Sequence, residues 1–208
     1  MDNEKKIGMV IVLVAFFVVA SLIVMYTLKP TKSLVEDVVV YDNGVDKFNI
    51  KKIKDNNTIT SRIEIFFKGS PRPFYINTRY GPDELEDFPS AWDKKDILNK
   101  ELVYITIDPD KNLTGKAVIA ALELTYGISD KYFYGIPTIG AVTKDYNKNP
   151  VITCNNVNES LGVIYLKLDK KSEVASENGC VVISGKEEED LIKGADKVFL
   201  QLLNILRK

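Results

Sequence analysis

Histidine, a side chain that often carries enzyme chemistry, is absent from this sequence of 208 residues. Histidine is the usual general base, the partner of serine and cysteine nucleophiles, and the commonest metal ligand. Its absence excludes most hydrolase mechanisms. Carboxylate chemistry and Ser-Lys pairs remain, the latter through Ser184 with Lys186 or Ser172 with Lys171. Ser184 is expected to cap a helix, and neighbouring residues on a strand rarely face each other, so neither Ser-Lys pair is favoured. The sequence therefore favours a protein that is not an enzyme.

Two acidic residues, Asp108 and Asp110, flank a proline at the end of a predicted strand, where carboxylates could hold Ca²⁺ or Mg²⁺. Asp-Pro-Asp is also a common turn sequence, so these are weak metal candidates, and no metal or other cofactor is predicted. The nearby Thr114-Gly115-Lys116 is similar to the end of a phosphate-binding loop. The first glycine of that motif would fall at Asp110 and its last hydroxyl at Ala117, so nucleotide binding is not predicted.

The two cysteines, Cys154 and Cys180, are not arranged as a CxxC redox motif. We expect them to form a structural disulfide, although two buried thiols in a cytosolic protein could have the same spacing. Three glycosylation sequons begin at Asn56, Asn112 and Asn158, which are candidate acceptors in an exported domain. Together, the cysteines and the sequons favour a domain outside the cytoplasm.

A proline-rich stretch from Gly69 to Pro89 is predicted to be the longest irregular segment of the chain. Long loops within compact domains are often functional, and this one is rich in aromatic side chains. The binding-loop candidates are Phe74, Tyr75, Tyr80 and Trp92. The alternative is a loop that covers the sheet and uses these side chains for packing.

An uncharged apolar run at residues 7–28 would form a helix of roughly 33 Å, enough to cross a hydrocarbon core of about 30 Å. A cleaved signal peptide, which usually has a shorter apolar region, is the alternative. We therefore predict a single-pass protein of the cell membrane, with the lipid bilayer around this helix, the N-terminus inside and the domain outside. The predicted organisation is a tail at residues 1–6, a transmembrane helix at 7–28, a linker at 29–34 and one extracytoplasmic domain at 35–208.

The fold is predicted to be α+β, with a mixed or antiparallel sheet packed against two or three helices. Asn43-Gly44 predicts a hairpin turn, because both residues accept the positive φ values that tight turns require. A helix is expected from Ser90 to Lys100. A second helix from Gly115 to Tyr126, apolar nearly all round except at Glu123, should be deeply packed. Further strands are expected at residues 35–42, 45–53, 58–67, 102–107, 134–142, 150–154, 163–168 and 174–183.

The closing segment is predicted to be an amphipathic helix, with Ser184 and Glu187 at the spacing of a capping box. A wide apolar stripe along it indicates docking on the protein's own sheet. The chain has 28 basic and 29 acidic residues, a balance that is not typical of nucleic-acid-binding proteins. No nucleic-acid partner is predicted.

Four segments within residues 101–208 resemble the C-terminal parts of certain uncharacterised archaeal membrane-anchored cell-envelope proteins: GIPT (135–138), NPVITCNN (149–156), ENGCVVISG (177–185) and EEDLIKGADKVFLQLLNIL (188–206). The resemblance implies an extracytoplasmic domain of the archaeal envelope and transfers no catalytic residue. The predicted function is binding or scaffolding, as an accessory subunit of a membrane or cell-envelope assembly with a protein partner. An envelope enzyme using carboxylate or Ser-Lys chemistry is the alternative.

Overall fold

The computed structural model describes residues 34–55, 58–66, 71–111 and 113–207. The predicted tail and the predicted transmembrane helix at 7–28 lie outside these residues, as do the sequon residues Asn56 and Asn112. Within the described part of the chain, no helix combines the length and the apolar composition needed to cross a bilayer. The described residues form an α+β fold with two sheets.

The first sheet is an antiparallel meander in the order β1-β2-β3-β4. Its strands are β1 (Leu34–Asp42), β2 (Lys47–Asp55), β3 (Thr58–Ile65) and β4 (Phe74–Thr78). The hairpin at Asn43-Gly44 is confirmed, and Gly44 has a φ of +84° that strongly favours glycine. A row of buried isoleucines crosses the inner face of the sheet at Ile50, Ile63 and Ile76.

The second sheet is mixed, with the order β5-β9-β10-β8-β6-β7. Its strands are β5 (Ser90–Ala91), β6 (Leu102–Ile107), β7 (Thr138–Val142), β8 (Leu161–Leu168), β9 (Glu173–Glu177) and β10 (Cys180–Gly185). Strands β7, β6, β8 and β10 run parallel, whereas β9 is antiparallel to β10. Parallel neighbours need a crossover connection, and a helix supplies it between β6 and β7.

The helices are α1 (Pro82–Leu85), α2 (Lys95–Leu98), α3 (Gly115–Ser129) and α4 (Glu188–Leu202). Both long helices pack on one face of the second sheet, where they form the largest apolar core. The predicted helix at Gly115 is confirmed, with Thr114 as its N-cap. Its hydroxyl accepts a hydrogen bond from a backbone N–H of the first turn, as a capping threonine should.

Helix α4 lies between the two sheets. Leu191, Ala195 and Val198 belong to the core of the second sheet. Phe199 and Leu200 belong instead to the core beneath the isoleucine row of the first sheet. The predicted docking of this helix on its own sheet is therefore confirmed, and the same helix also packs against the first sheet.

Two predictions between residues 69 and 100 are wrong. The stretch expected to be irregular contains β4 and α1. The helix expected from Ser90 begins at Lys95, because Ser90 and Ala91 pair with β9 and extend the second sheet. Asp93 then accepts a hydrogen bond from the N–H of Lys95 at 3.0 Å and so marks the actual start of the helix.

Two further predictions of local structure need correction. Ser184 does not cap α4, because it lies inside β10 and its hydroxyl donates to a carbonyl of β9; Glu187 occupies the N-cap. The strand expected at residues 150–154 is reduced to one bridge between Val142 and Val151. Beyond that bridge the chain forms a 3-10 turn at Cys154–Asn156.

Candidate binding surface and buried carboxyl pair

Helix α3 buries one face and leaves an apolar line of side chains on the other. Its buried residues are Ala117, Ala120, Leu124, Gly127 and Ile128. Val118, Leu122 and Tyr126, at 55%, 61% and 39% exposure, repeat every four residues and so share one side of the helix. We call these three residues the α3 stripe. The expectation that this helix is deeply packed is thus correct for only one of its faces.

The exposed face of α3 carries no charge beyond its first turn. From Ala117 to Ser129 the only charged residue is Glu123, and its side chain is largely buried. Exposed helix faces of globular domains normally carry polar and charged residues, and contiguous apolar patches mark interaction sites. The α3 stripe therefore has the character of an interface that is not covered by the described residues.

A recess of about 370 Å³ lies beside the stripe, between α3, α4 and the end of β4. Its lining combines apolar side chains with two opposite charges: Asn77, Arg79, Ile119, Leu122, Glu123, Tyr126 and Phe199. The Nε atom of Arg79 lies 3.6 Å from Oε1 of Glu123. Because Leu122 and Tyr126 belong to both the stripe and the recess, a segment docked on α3 would also reach these charges.

Two polar layers join α3 to α4. Lys116 forms an ion pair with Glu189 at 2.5 Å, and seven residues later on both helices the carboxyl group of Glu123 is hydrogen-bonded to that of Asp196. Equal spacing on both helices means that they run parallel and in register. Tyr80 connects the layers, because its hydroxyl donates to Glu189 and its backbone N–H donates to Asp196 at 2.8 Å.

The Glu123–Asp196 pair retains a proton because both groups are shielded from water. Burial raises the pKa of Glu123 to about 7, although the hydrogen bond from Asp196 and the charge of Arg79 lower it. Burial, followed by the negative charge of Glu123, raises the pKa of Asp196 well above its ordinary value. If both ionised, Oδ1 of Asp196 and Oε2 of Glu123 would be buried without a donor. A proton on Asp196, donated to Glu123, satisfies both atoms.

The N-terminus of α3 is filled by a carboxylate from α4. Glu188 accepts hydrogen bonds from the backbone N–H groups of Thr114 at 2.9 Å and Ala117 at 3.2 Å, and from the Thr114 hydroxyl at 2.8 Å. Desolvation alone would raise the pKa of Glu188, but these hydrogen bonds outweigh it and lower that pKa. The segment that resembles the end of a phosphate-binding loop thus holds an anion of the protein itself.

The weak metal candidates, Asp108 and Asp110, both approach the ammonium group of Lys144. Asp110 forms an ion pair with it, and Oδ1 of Asp108 lies 3.8 Å from Nζ. Oδ1 of Asp108 also accepts a hydrogen bond from the N–H of Asp110 at 3.0 Å, as in an Asx turn. Among the described residues, no group of three or more potential metal ligands comes together.

The four binding-loop candidates are not gathered on one surface. Trp92 is buried in the main core, where its Nε1 donates to Oε1 of Gln201 at 2.7 Å. Tyr80 is half-buried and donates its hydroxyl to a carboxylate on α4. Phe74 packs against the core of the first sheet. Of the four, only Tyr75 is exposed, so the segment mainly covers the sheets.

The sulfur atoms of Cys154 and Cys180 lie at bonding distance, 2.12 Å, as a disulfide requires. They belong to a small core on the face of the second sheet that α3 and α4 leave open. The sequon residue Asn158 is exposed, and its side-chain oxygen accepts two backbone hydrogen bonds. Of the proposed Ser-Lys nucleophiles, Ser184 donates to a backbone carbonyl and Ser172 to Asp190.

Neither Asp196 nor Arg79 was predicted from the sequence as a member of a site. The available signal was that each long helix has one acid beyond its first turn, Glu123 in α3 and Asp196 in α4. A scan against protein-family models and searches of curated proteins and of solved structures found no match to this chain. Function must therefore be inferred from the chain's own geometry.

Proposed function

We propose that this chain is a single-pass, membrane-anchored binding domain outside the cytoplasm, which serves as an accessory or scaffolding subunit of a membrane or cell-envelope assembly. Its protein partner docks on the α3 stripe. The observation that carries the proposal is the uncharged, exposed face of α3, with Leu122 at 61% exposure. The apolar run at residues 7–28 supports anchoring, and the disulfide together with the resemblance to archaeal envelope proteins supports the placement.

The stripe offers enough apolar surface to anchor a partner. Full burial of a valine or leucine side chain contributes about 1.5–3 kcal/mol, so covering the exposed halves of Val118 and Leu122 contributes roughly 1 kcal/mol each. Tyr126 adds an aromatic side chain, a type enriched in interfaces. The partner that fits is an apolar segment of a neighbouring envelope protein, with one polar side chain that enters the recess towards Arg79 and Glu123.

A matched pair of substitutions tests the docking surface. Full-length wild type, Leu122→Lys and Val45→Lys are purified from native membranes in mild detergent, and the co-purifying proteins are quantified. Val45 is an equally exposed apolar residue, at 65%, in the hairpin turn of the first sheet. We expect the partner with wild type and Val45→Lys, and about a tenfold or greater loss with Leu122→Lys. Equal recovery with all three proteins would reject the α3 stripe as the interface.

The placement is tested separately from the docking. Protease added to sealed cells should digest the domain, and the intact mass should rise by two hydrogens on reduction of Cys154 and Cys180. Full protection from protease, or free thiols in the native protein, would contradict the extracytoplasmic placement.

A second candidate function is carboxylate chemistry in the recess, and one observation favours it. A carboxyl group with a pKa of about 7, such as Glu123, can both donate and accept a proton near neutral pH. Envelope extracts are incubated with wild type or with Glu123→Gln, and their products are compared by mass spectrometry. Products that require Glu123, from variants that still bind the partner, would support an enzyme. Identical product profiles would reject it.

A further inference from the structure

The recess beside α3 contains a cation whose hydrogen-bonding capacity is not fully used. Arg79 lies between β4 and α1, and its side chain, 34% exposed, lines the recess. Its Nε atom is buried without a hydrogen-bond partner among the described residues, and Oε1 of Glu123, 3.6 Å away, is too distant for a hydrogen bond. Buried donors are normally paired, so this N–H indicates an acceptor that enters from outside.

The backbone holds Arg79 in place at the recess. Its N–H group and that of Tyr80 both donate to Asp196 on α4, the second at 2.8 Å. Asn77 lines the recess as well, and its Oδ1 already accepts a hydrogen bond from Nε of Arg62 at 3.0 Å. The NH2 group of Asn77 is thus left to donate, so the recess offers a second donor to a ligand.

The charges of the recess select an anion. Arg79 stays charged, whereas Glu123 can take up a proton. With Glu123 ionised the two charges cancel, and with Glu123 protonated the recess is positive, so its lining is never net negative. Asp196, which is hydrogen-bonded to Glu123, holds a proton and adds no charge. A cation would therefore meet repulsion or no attraction here.

The size and the remaining lining select a carboxylate on an apolar group. A phosphate group carries almost two negative charges, more than one guanidinium neutralises, whereas a carboxylate carries one and fits the planar fork of arginine. The volume of about 370 Å³ exceeds what a carboxylate fills, since a water molecule takes up about 30 Å³ in the liquid. The remaining space suits an apolar group, because it is bounded by Ile119, Leu122, Tyr126 and Phe199.

We propose that the polar side chain which the docked partner inserts into the recess is a carboxylate, from an aspartate or a glutamate, and that the guanidinium of Arg79 holds it. The inference rests on the docking proposed above and adds the chemistry that the partner must carry, an acidic residue flanked by apolar side chains. The carboxylate accepts the hydrogen bond for which Nε of Arg79 has no partner. The apolar neighbours cover Leu122 and Tyr126, which belong to both the recess and the α3 stripe.

Binding of this carboxylate is linked to the protonation of Glu123. Ionised Glu123 repels a second carboxylate and competes for Arg79, so the bound state favours the protonated form. Burial raises the pKa of Glu123 to about 7, against the hydrogen bond with Asp196 and the charge of Arg79, and the negative charge of Glu189 raises it further. Tyr80 is uncharged and donates its hydroxyl to Glu189. Since the ligand is ionised at both pH values, its affinity should fall about tenfold from pH 6 to pH 8.

Hexanoate, a carboxylate on a short apolar chain, tests the recess without the partner. Its binding to the full-length protein in mild detergent is followed by the nitrogen-15 resonance of the Arg79 Nε–H group, and hexanamide, with the same chain and no charge, corrects for partition into the detergent. At pH 6 we expect hexanoate to bind about tenfold more tightly than hexanamide, and at pH 8 to bind about tenfold more weakly than at pH 6. Equal binding of the two compounds, or an unmoved Arg79 resonance, would overturn the proposal.

Two substitutions separate the roles of the charges. Arg79→Gln should weaken hexanoate binding about tenfold at pH 6, whereas Arg207→Gln, an exposed control in the C-terminal segment, should not. Glu123→Gln keeps the shape of the side chain and guards against a folding defect at Arg79. This variant should bind hexanoate equally well at pH 6 and pH 8. A pH dependence that persists in Glu123→Gln would contradict the link to this proton.

Co-purification from native membranes tests whether the partner supplies the carboxylate. Arg79→Gln should recover about tenfold less partner than wild type, and wild type should lose about as much when washed at pH 8 instead of pH 6. Loss of the partner with Leu122→Lys but full recovery with Arg79→Gln would overturn this inference and leave the docking proposal standing. Full recovery with Leu122→Lys would reject the docking and, with it, the partner as the source of the carboxylate.

Discussion

Replacing Glu123 with glutamine should reduce the pH dependence of the domain's stability. Glutamine has nearly the same shape and still hydrogen-bonds, but it does not titrate. In the folded protein the pKa of Glu123 is raised from 4.5 to about 7, so the folded state binds this proton more tightly than the unfolded chain. The resulting stabilisation is fully present below about pH 4.5 and is lost as the pH rises to about 7.

The size of this effect follows from the interval between the two pKa values. The rise in the pKa of Glu123 from 4.5 to about 7 corresponds to a loss of about 3 kcal/mol in the free energy of unfolding as the pH increases over the same interval. The side chain of Glu123 is only 18% exposed, so solvent screens little of this effect. Asp196 adds to this loss in wild type and in the variant, because its pKa is raised as well. The chain has no histidine, and the lowered pKa values of Glu188, Glu189 and Asp190 act at lower pH.

The assay is urea unfolding of the full-length protein in mild detergent, followed by the fluorescence of Trp92, the single tryptophan, which is buried. Between pH 5 and 8, Glu123→Gln should lose about 2 kcal/mol less stability than wild type, and the loss that remains in both proteins comes from the raised pKa of Asp196. The exposed Glu159→Gln serves as the control and should behave like wild type. A wild-type stability that is constant or rises over this range would refute the shared-proton interpretation, as would an unchanged slope in Glu123→Gln.

Three further predictions concern the interfaces of the long helices and the disulfide. Gly127→Ala should destabilise the domain by about 1–3 kcal/mol, because the new methyl group would overlap an aromatic ring of α4; Gly115→Ala, which meets open space, should not, and urea unfolding compares the two. Glu188→Gln should lower the free energy of unfolding by about 1 kcal/mol, because the hydrogen bonds to the carboxylate are weakened. The lowered pKa of Glu188 means that wild type loses this stabilisation when the carboxylate is protonated below about pH 4.5, so the variant should lose less stability on acidification; circular dichroism during acid titration measures the difference. Reduction of Cys154–Cys180, which are 26 residues apart, should cost about 3–4 kcal/mol, measured by unfolding with and without reductant.

Local signals predicted much of the secondary structure. The Asn43-Gly44 turn and the threonine cap at Thr114 depend on residues close in sequence, so both could be found without the fold. The helix predicted at Ser90 failed because Ser90 pairs with Val174, a partner that lies far away in the chain. Ser184 failed as a cap for the same reason, since its place in a strand is set by distant neighbours.

The candidate site could be predicted only in fragments. Glu123 stood out as the one charge beyond the first turn of an apolar helix, but its partner Asp196 is identified only when the two helices are known to be parallel. The exposure of Leu122 could not be predicted either, because an apolar composition indicates burial in general and does not show which face the domain leaves uncovered. Two cysteines allow only one pairing, but the sequence could not decide between a disulfide and two free thiols, because that depends on how close the fold brings Cys154 to Cys180.

The place of α4 between the two sheets also bears on when this domain can fold during synthesis. Every described strand precedes Glu188 in the chain, yet the two largest apolar cores include residues from α4 or the segment just after it. A nascent chain that has made both sheets therefore still lacks the element that closes them, and its isoleucine row remains open to water. Such exposed intermediates attract chaperones and tend to aggregate. The domain can therefore complete its folding only after the final helix has been synthesised, and truncation before Glu188 should leave a chain without a stable core.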